Sequence, residues 1–286
     1  MKKILITGAS GYLANSLVAQ AAECAEVIGV ARRSEAIADP AQSIALDITQ
    51  RKRVLDVIVN EKPDAIIHCA ASNPGSDETS MLAVNESGSA YVAEAAAQLG
   101  CRLVAVSSDT VLNGIDAPFA DNAPSSPLPE NTYAVSKACA EHQLLSIYPA
   151  TIVVRTSLIY GLHDMDRGTA GFVKRLDAGE KLRLFTDVIR QPVFDQSLSE
   201  HLCSLAVQLT EECGAMNIVG DEACSRFEFG KRMLDHWGIE YGDSLEAVSG
   251  VGVAGLPLDL TMRQVRAKAL GFATPGVSEV LRSARR

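Results

Sequence analysis

The run Lys3-Ile4-Leu5-Ile6-Thr7 carries no polar alternation, and it passes directly into Gly8-Ala9-Ser10-Gly11. A strand that is apolar on both faces has to be covered on both faces, which restricts the chain to layered architectures. Comparable short runs recur at Val27 to Ala31, Ser43 to Leu46, Ala65 to Cys69, Leu103 to Ser107 and Thr151 to Arg155. Between them lie stretches with helical spacing. Leu13, Leu17 and Ala21 share one side of a helix from Tyr12 to Cys24, and an alanine-rich helix from Met81 to Leu99 ends at Gly100, a good C-terminal cap. Strands alternating with helices predict an α/β protein with a doubly wound parallel sheet.

The rhythm changes twice. Asn113 to Thr132 is rich in Pro, Asn, Asp and Ser and reads as a long loop on the active-site side, because the alternation resumes after it. Beyond Gly161 there is more charge and the apolar runs shorten. Residues 1–161 are therefore expected to form a cofactor-binding domain, and 162–286 mostly a smaller, mainly helical substrate lobe. One or two segments of the lobe should return to the main sheet, with Met216 to Val219 the candidate.

Composition narrows the function classes. At 286 residues, 47% apolar and 21% charged, the chain can build a sizeable core. A net charge of -9 speaks against non-specific nucleic-acid binding, which needs a basic surface. Seven cysteines form no C-x-x-C pair, which removes zinc-knuckle and thioredoxin-like readings and fits reduced thiols. No signal-peptide h-region and no stretch of ~20 apolar residues is present, so a soluble cytoplasmic protein is expected, with no membrane partner.

The turn after the first strand carries the first chemistry. Gly8, Ser10 and Gly11 lead into a helix opening with Tyr12 and Leu13. Glycine lets backbone N–H groups approach a pyrophosphate, and the helix N-terminus adds partial positive charge. This placement makes the sheet Rossmann-type, with a dinucleotide at that turn. Ala14 is small enough to permit close helix packing. The second strand ends in Arg32-Arg33, with no Asp or Glu before Glu35 to take a ribose 2′-hydroxyl. Two arginines suit the 2′-phosphate of NADP instead, so NADP is expected in preference to NAD.

Tyr133 and Lys137 stand four residues apart, one helical turn, so both side chains share a face. An ammonium beside a phenol favours the phenolate, and the expectation is a Tyr133 pKa below its usual value near 10. Such a tyrosine exchanges a proton with a carbonyl or alcohol oxygen while hydride moves at the adjacent carbon. Ser107-Ser108-Asp109 ends the fifth strand, and Ser108 there can hydrogen-bond the reacting oxygen.

These pieces together resemble the extended short-chain dehydrogenase/reductases, and among them the dTDP-4-dehydrorhamnose reductase branch. The resemblance runs through Thr7-Gly8-Ala9-Ser10-Gly11-Tyr12-Leu13, Leu46-Asp47-Ile48-Thr49, His68-Cys69-Ala70-Ala71 and Val84-Asn85. It continues through Ser107 to Gly114, Tyr133-Ala134-Val135-Ser136-Lys137 and Arg155 to Gly161. It implies a catalytic triad of Ser108, Tyr133 and Lys137, with Asn85 as a fourth member in a proton relay. Asn85 also reads as a helix-interior amide bonded to nearby backbone. The resemblance further implies that Lys137 contacts the nicotinamide ribose and that Asp47 and Ile48 flank the adenine. Cys69, Ala70, Ala71 and Ser107 then run beside the cofactor. Two departures stand on the substrate side. Thr110 occupies a position that is usually aromatic in the branch, and Ser72 to Glu78 lacks the branch's tyrosine- and acid-containing signature.

A nucleotide-sugar substrate needs cations for its pyrophosphate, and Lys174, Arg175 and Arg190 are the candidates, with Asp109 holding the loop or touching substrate. Gln191-Pro192 resembles the strand that closes the family's substrate site. His142, His163 and His201 lack metal-ligand spacing, so no metal is expected, and Trp237 reads as a packing residue. The leading function is reduction of a carbonyl on a sugar or nucleotide sugar, with a homodimer implied by the family. The alternatives are an epimerase or dehydratase of the same superfamily, and a non-catalytic nucleotide-binding regulatory subunit, since the β subunit of methionine adenosyltransferase resembles this branch.

Overall fold

The computed structural model describes residues 1–33, 36–208 and 211–284, so Glu35 lies outside the described residues. The first half contains β1 (Lys2–Thr7), α1 (Tyr12–Ala22), β2 (Ala25–Ala31), β3 (Gln42–Ala45), α2 (Arg51–Glu61) and β4 (Ala65–His68). Then come α3 (Glu78–Met81), a π-helical turn over Leu82–Gly88, and α4 (Ser89–Leu99). They are followed by β5 (Arg102–Ser108), α5 (Thr132–Ile147) and β6 (Ile152–Thr156). The remainder contains β7 (Ile159–Tyr160), α6 (Arg167–Asp177), β8 (Leu182–Phe185), β9 (Ile189–Arg190), β10 (Val193–Phe194) and α7 (Asp195–Val207). It ends with β11 (Gly214–Asn217), β12 (Cys224–Ser225), α8 (Arg226–His236), β13 (Leu245–Val248), α9 (Val265–Ala269) and α10 (Val277–Ser283).

Seven strands form one sheet in the order β11-β6-β5-β4-β1-β2-β3, and every neighbouring pair is parallel. The unalternated apolar runs are explained by its two buried faces. Ile4 and Ile6 pack with Leu17 of α1 and with Leu198 and Leu202 of α7, while Leu5 packs on the other side with Val54, Ile58 and Val92. Each of these aliphatic side chains is fully buried, worth roughly 1.5–3 kcal/mol. The main sheet thus draws α7 and β11 from the second half of the chain. The other late strands pair in two-stranded sheets, β10 with β7, β12 with β9 and β13 with β8.

Two sequence expectations are corrected. The long helix from Met81 to Leu99 is interrupted by the π-helical turn, although Gly100 does cap it with φ +65°. Within that turn Asn85 reaches Ser72 and Gly88 packs so close to Ile48 that a Cβ there would stand 2.7 Å from its Cδ1. The returning strand is Gly214–Asn217 rather than Met216 to Val219, since its register against β6 begins at Gly214 opposite Ile152.

The helix that carries Tyr133 and Lys137 is fastened by a buried ion pair. Arg155 of β6 meets Glu141 of α5 at 2.7 Å, with both side chains under 5% exposed (4% and 3%). Glu141 also accepts from Ser107 at 2.6 Å and from Ser125. Arg155 donates to the Ala123 carbonyl at 2.6 Å and to Ser125 Oγ at 2.9 Å. The cluster therefore joins β5, β6, α5 and the loop before α5. Removing one member leaves an uncompensated buried charge. Arg155→Ala is expected to lower stability by about 3–5 kcal/mol in urea denaturation, and Glu141→Gln to cost a comparable amount, because it strips the Arg155 guanidinium of its counter-charge and turns an amide NH2 toward donors. A small effect of Arg155→Ala would show that the pair does not fasten the helix.

Candidate active site

The strand order reverses between β1 and β4, and α/β sheets hold ligands beyond the carboxyl ends of their strands at that point. A cleft of about 950 Å³ opens there. At its floor Gly8 has φ +71°, and a Cβ on it would come within 2.7 Å of the Ala70 backbone. Only glycine permits that approach. Gly11 is the N-cap of α1 and has no side chain to cap it, and the first turn carries no acidic residue, so the helix's positive end faces the cleft uncompensated. Ser10, Tyr12, Leu13 and Ala14 complete this wall.

The neighbouring strand ends add the rest of the cofactor side. Arg32, Asp47, Ile48, Cys69, Ala70 and Ala71 all line the cleft, whereas Arg33 is exposed and outside the lining. Asp47 accepts from Thr49 N at 2.9 Å and Thr49 Oγ1 at 2.8 Å. His68, 2% exposed, is held between Thr7 Oγ1 at 2.7 Å and Ser89 Oγ at 2.9 Å, and Thr7 Oγ1 in turn accepts from Ala70 N. Burial, reinforced by the charge on Lys137, pushes His68 down to about 3. Burial pushes the Cys69 thiol up to about 12.

Ser107, Ser108, Tyr133 and Lys137 meet on the opposite wall. The α5 helix starts where the sequence places it, with Asn131 accepting from Ala134 N at 3.0 Å as N-cap. Lys137 is buried and donates to the Val106 carbonyl at 2.8 Å, and burial lowers its pKa to about 8, with Glu141 and Cys69 opposing the shift. Tyr133 corrects an expectation. Its phenol is pushed up to about 12, by burial first and then by the charge of Asp109, against a lowering hydrogen bond from Ser108 and the charge of Arg167. The desolvation that Lys137 shares with the phenol outweighs the effect read from their spacing, and the tyrosine holds its proton at neutral pH.

Asn85 does not line the cleft. It is 1% exposed, accepts from Ser72 N at 2.7 Å, and donates to Ser72 O at 3.0 Å and Ser136 Oγ at 2.9 Å. Ser136 donates to the Tyr133 carbonyl, so Asn85 ties the strand end after β4 to the first turn of α5. This is the backbone-bonded reading of that amide. Ser107 turns its hydroxyl away, toward Glu141.

On the substrate side, Asp109 accepts from Ser157 at 2.6 Å and pairs with Arg190 at 3.6 Å. Lys174 stands exposed on α6, outside the cleft lining, and Arg175 pairs with Glu180. The cations that do reach the cleft with Arg190 are Arg167 and Arg226, beside Phe172, Phe185 and Phe229. Arg226 stands over the Phe172 ring, 6.0 Å from its centroid. Both new arginines follow helix caps, Asp166 and Ser225, a signal visible in the sequence. Which helix start faces the cleft is not.

The family model for the RmlD substrate binding domain matches residues 1–261. The dTDP-4-keto-6-deoxy-D-glucose reductase of Streptomyces niveus is 30% identical over 211 residues, 70% of this chain and 67% of that protein. The chain belongs to the RmlD family. It is thereby an oxidoreductase of the extended short-chain dehydrogenase/reductase group. Another relative, the dTDP-4-dehydrorhamnose reductase of Mycobacterium tuberculosis, is 31% identical over 215 residues, covering 72% of this chain and 66% of the relative. The fold of this RmlD-family chain matches the dTDP-4-dehydrorhamnose reductase of Bacillus anthracis, solved in complex with NADP. The TM-score is 0.81 at 23% identity, covering 99% of this chain and 98% of that one. Among the described residues no helix is long and apolar enough to cross a membrane.

His68 makes the floor of this cleft acid-sensitive. Unfolded histidine takes up a proton near 6.5, whereas folded His68 stays neutral down to about 3. Between those values the unfolded state binds the extra proton, so His68's contribution to stability is complete above about 6.5 and is lost as pH falls. The urea midpoint of the wild type is expected to fall between pH 7 and pH 5 more steeply than that of His68→Gln. Parallel slopes would place the acid sensitivity elsewhere.

Proposed function

We propose that this chain is an NADPH-dependent reductase of a carbonyl on a nucleotide sugar of the dTDP-4-dehydrorhamnose kind, with Tyr133 as proton donor. The observation that carries the reading is the convergence of Ser108, a still-protonated Tyr133 and a buried Lys137 at the carboxyl end of β5. The relatives' names support the substrate class.

The residues fit a dinucleotide. Gly8 leaves the space that a Cβ would fill against Ala70, and the uncapped start of α1 favours a pyrophosphate. Arg32 lines the cleft at the end of β2, where a 2′-phosphate would lie, while Arg33 stands outside it. NADPH, when bound, supplies the hydride that reaches the carbonyl carbon. Tyr133 gives its proton to the carbonyl oxygen as negative charge develops there, and Ser108 donates a hydrogen bond to the same oxygen. Lys137, fixed on the Val106 carbonyl, keeps a cation beside the ribose and the phenol. Asn85 acts at one remove, by holding the first turn of α5 in place. Asp47, Ile48, Cys69, Ala70, Ala71 and Ser107 flank the cofactor. In this reading residues 1–161 hold the cofactor, and the following segment supplies Arg190 to the substrate. We assign the protein to the cytoplasm and to a homodimer as part of the same reading; the free state of all seven cysteines suits a reducing compartment.

Tyr133→Phe should leave NADPH binding intact and lower the reduction rate by about 10²–10⁴-fold, the usual contribution of a general acid. Fluorescence titration and NADPH oxidation with dTDP-4-dehydrorhamnose separate the two effects, and lost binding in a folded variant would sink the role.

Replacing Arg32 and Arg33 together should weaken NADPH by about 10–100-fold, the worth of a hydrogen bond to a charged group, and change NADH little. Arg32→Ala alone should reproduce most of this; equal weakening of both nucleotides would refute the 2′-phosphate assignment.

A further inference from the structure

Ser108 has more potential partners than it can satisfy at once. A hydroxyl carries one proton and two acceptor lone pairs. Around Ser108 Oγ stand the Thr110 N–H at 3.2 Å, Thr110 Oγ1 at 2.9 Å, Asp109 Oδ1 at 3.2 Å and the phenol of Tyr133. The Thr110 N–H can only donate and Asp109 Oδ1 can only accept, whereas the Thr110 hydroxyl can do either.

The two arrangements differ in consequence. If Ser108 donates to Thr110, its proton is spent, and an incoming carbonyl, which has no proton of its own, receives nothing from it. If Thr110 donates to Ser108, both lone pairs of Ser108 are filled by Thr110, one by the backbone and one by the hydroxyl. Ser108 then has only a proton to offer and cannot accept from Tyr133. The phenol keeps its proton for the same target. In the free site the Ser108 proton points to Asp109 Oδ1 at 3.2 Å, a long contact that an incoming carbonyl oxygen has to displace. The geometry also keeps Thr110 in place, since Ser108 caps the 3₁₀ turn Asp109–Val111 and Thr110 itself lines the cleft.

We propose that Thr110 is a positioning residue: by filling the second lone pair of Ser108 it directs the protons of both Ser108 and Tyr133 to one carbonyl oxygen. The role rests on the reductase reading above. Thr110 acts through Ser108, so its effect is expected in kcat and not in nucleotide affinity.

The test is a double-mutant cycle assayed by NADPH oxidation with dTDP-4-dehydrorhamnose, with NADPH affinity measured in parallel. Ser108→Ala removes a donor to the developing oxyanion and should cost about 10²–10³-fold in kcat. Thr110→Val keeps the β-branched shape and should lower kcat about tenfold, a partial loss of the same donor, with NADPH affinity unchanged. Thr110→Ser should recover most of that rate. Added to Ser108→Ala, Thr110→Val should cost nothing further, because the residue acts through Ser108. Thr110→Ala removes the same hydroxyl should the valine variant misfold. Full additivity in the cycle, wild-type turnover by Thr110→Val, or a serine variant as slow as the valine one would each overturn the assignment. A wild type that binds NADPH yet reduces nothing would overturn the reductase reading, and with it this role.

Discussion

Two opposite charges buried beneath α5 hold the wall of the cleft that carries Tyr133 and Lys137. Glu141 lies one helical turn beyond Lys137, and Arg155 stands on β6 against it. Taking both ions out of water is costly, and the cost is offset only because Ser107, Ser125 and the Ala123 carbonyl satisfy the remaining hydrogen-bonding groups. The arrangement fixes how far α5 slides along β5. That in turn decides whether Tyr133 and Lys137 face Ser108 or miss it. Asn85 makes the second fastening, from the strand end after β4 to the first turn of the same helix.

Once the wall is fixed, burial sets its acid–base character. The same low-dielectric surroundings raise the phenol and lower the amine, so that Tyr133 holds a proton while Lys137 titrates near 8. For a reduction this is the useful combination, because the oxygen that gains charge needs a donor. Opposite this wall, Gly8 and Gly11 leave backbone open to the cleft, and His68 of β4 holds Thr7 beside it. An acidic protein of net charge -9 nevertheless gathers Arg167, Arg190 and Arg226 along one cleft. Local field, not net charge, governs which small anions such a cleft admits.

Much of this was legible in the sequence. The unalternated apolar runs required a sheet covered on both faces, the glycine turn lay where the first strand meets its helix, and Tyr133 and Lys137 fell one turn apart. Asn131 caps the helix that the sequence started there. Each of these is a local property, encoded by residues within a few positions of one another. Lys174 and Arg226 illustrate the limit. Both are cations on helices of the second half, and nothing in their neighbourhoods says that Arg226 enters the cleft while Lys174 faces solvent.

Local pattern was enough for the layered α/β class, for the place of the glycine turn, for the return of a late strand to the main sheet and for the residues at the carboxyl end of β5. Contacts between distant segments were needed to seat α7 on the sheet beside α1, to open the long helix into a π-helical turn at Asn85 and to raise the Tyr133 phenol by burial. The physical reason is one of range. Backbone periodicity and capping act over a turn or a strand, whereas desolvation, ion pairing and the choice of which helix end meets a cleft depend on groups brought together from distant parts of the chain.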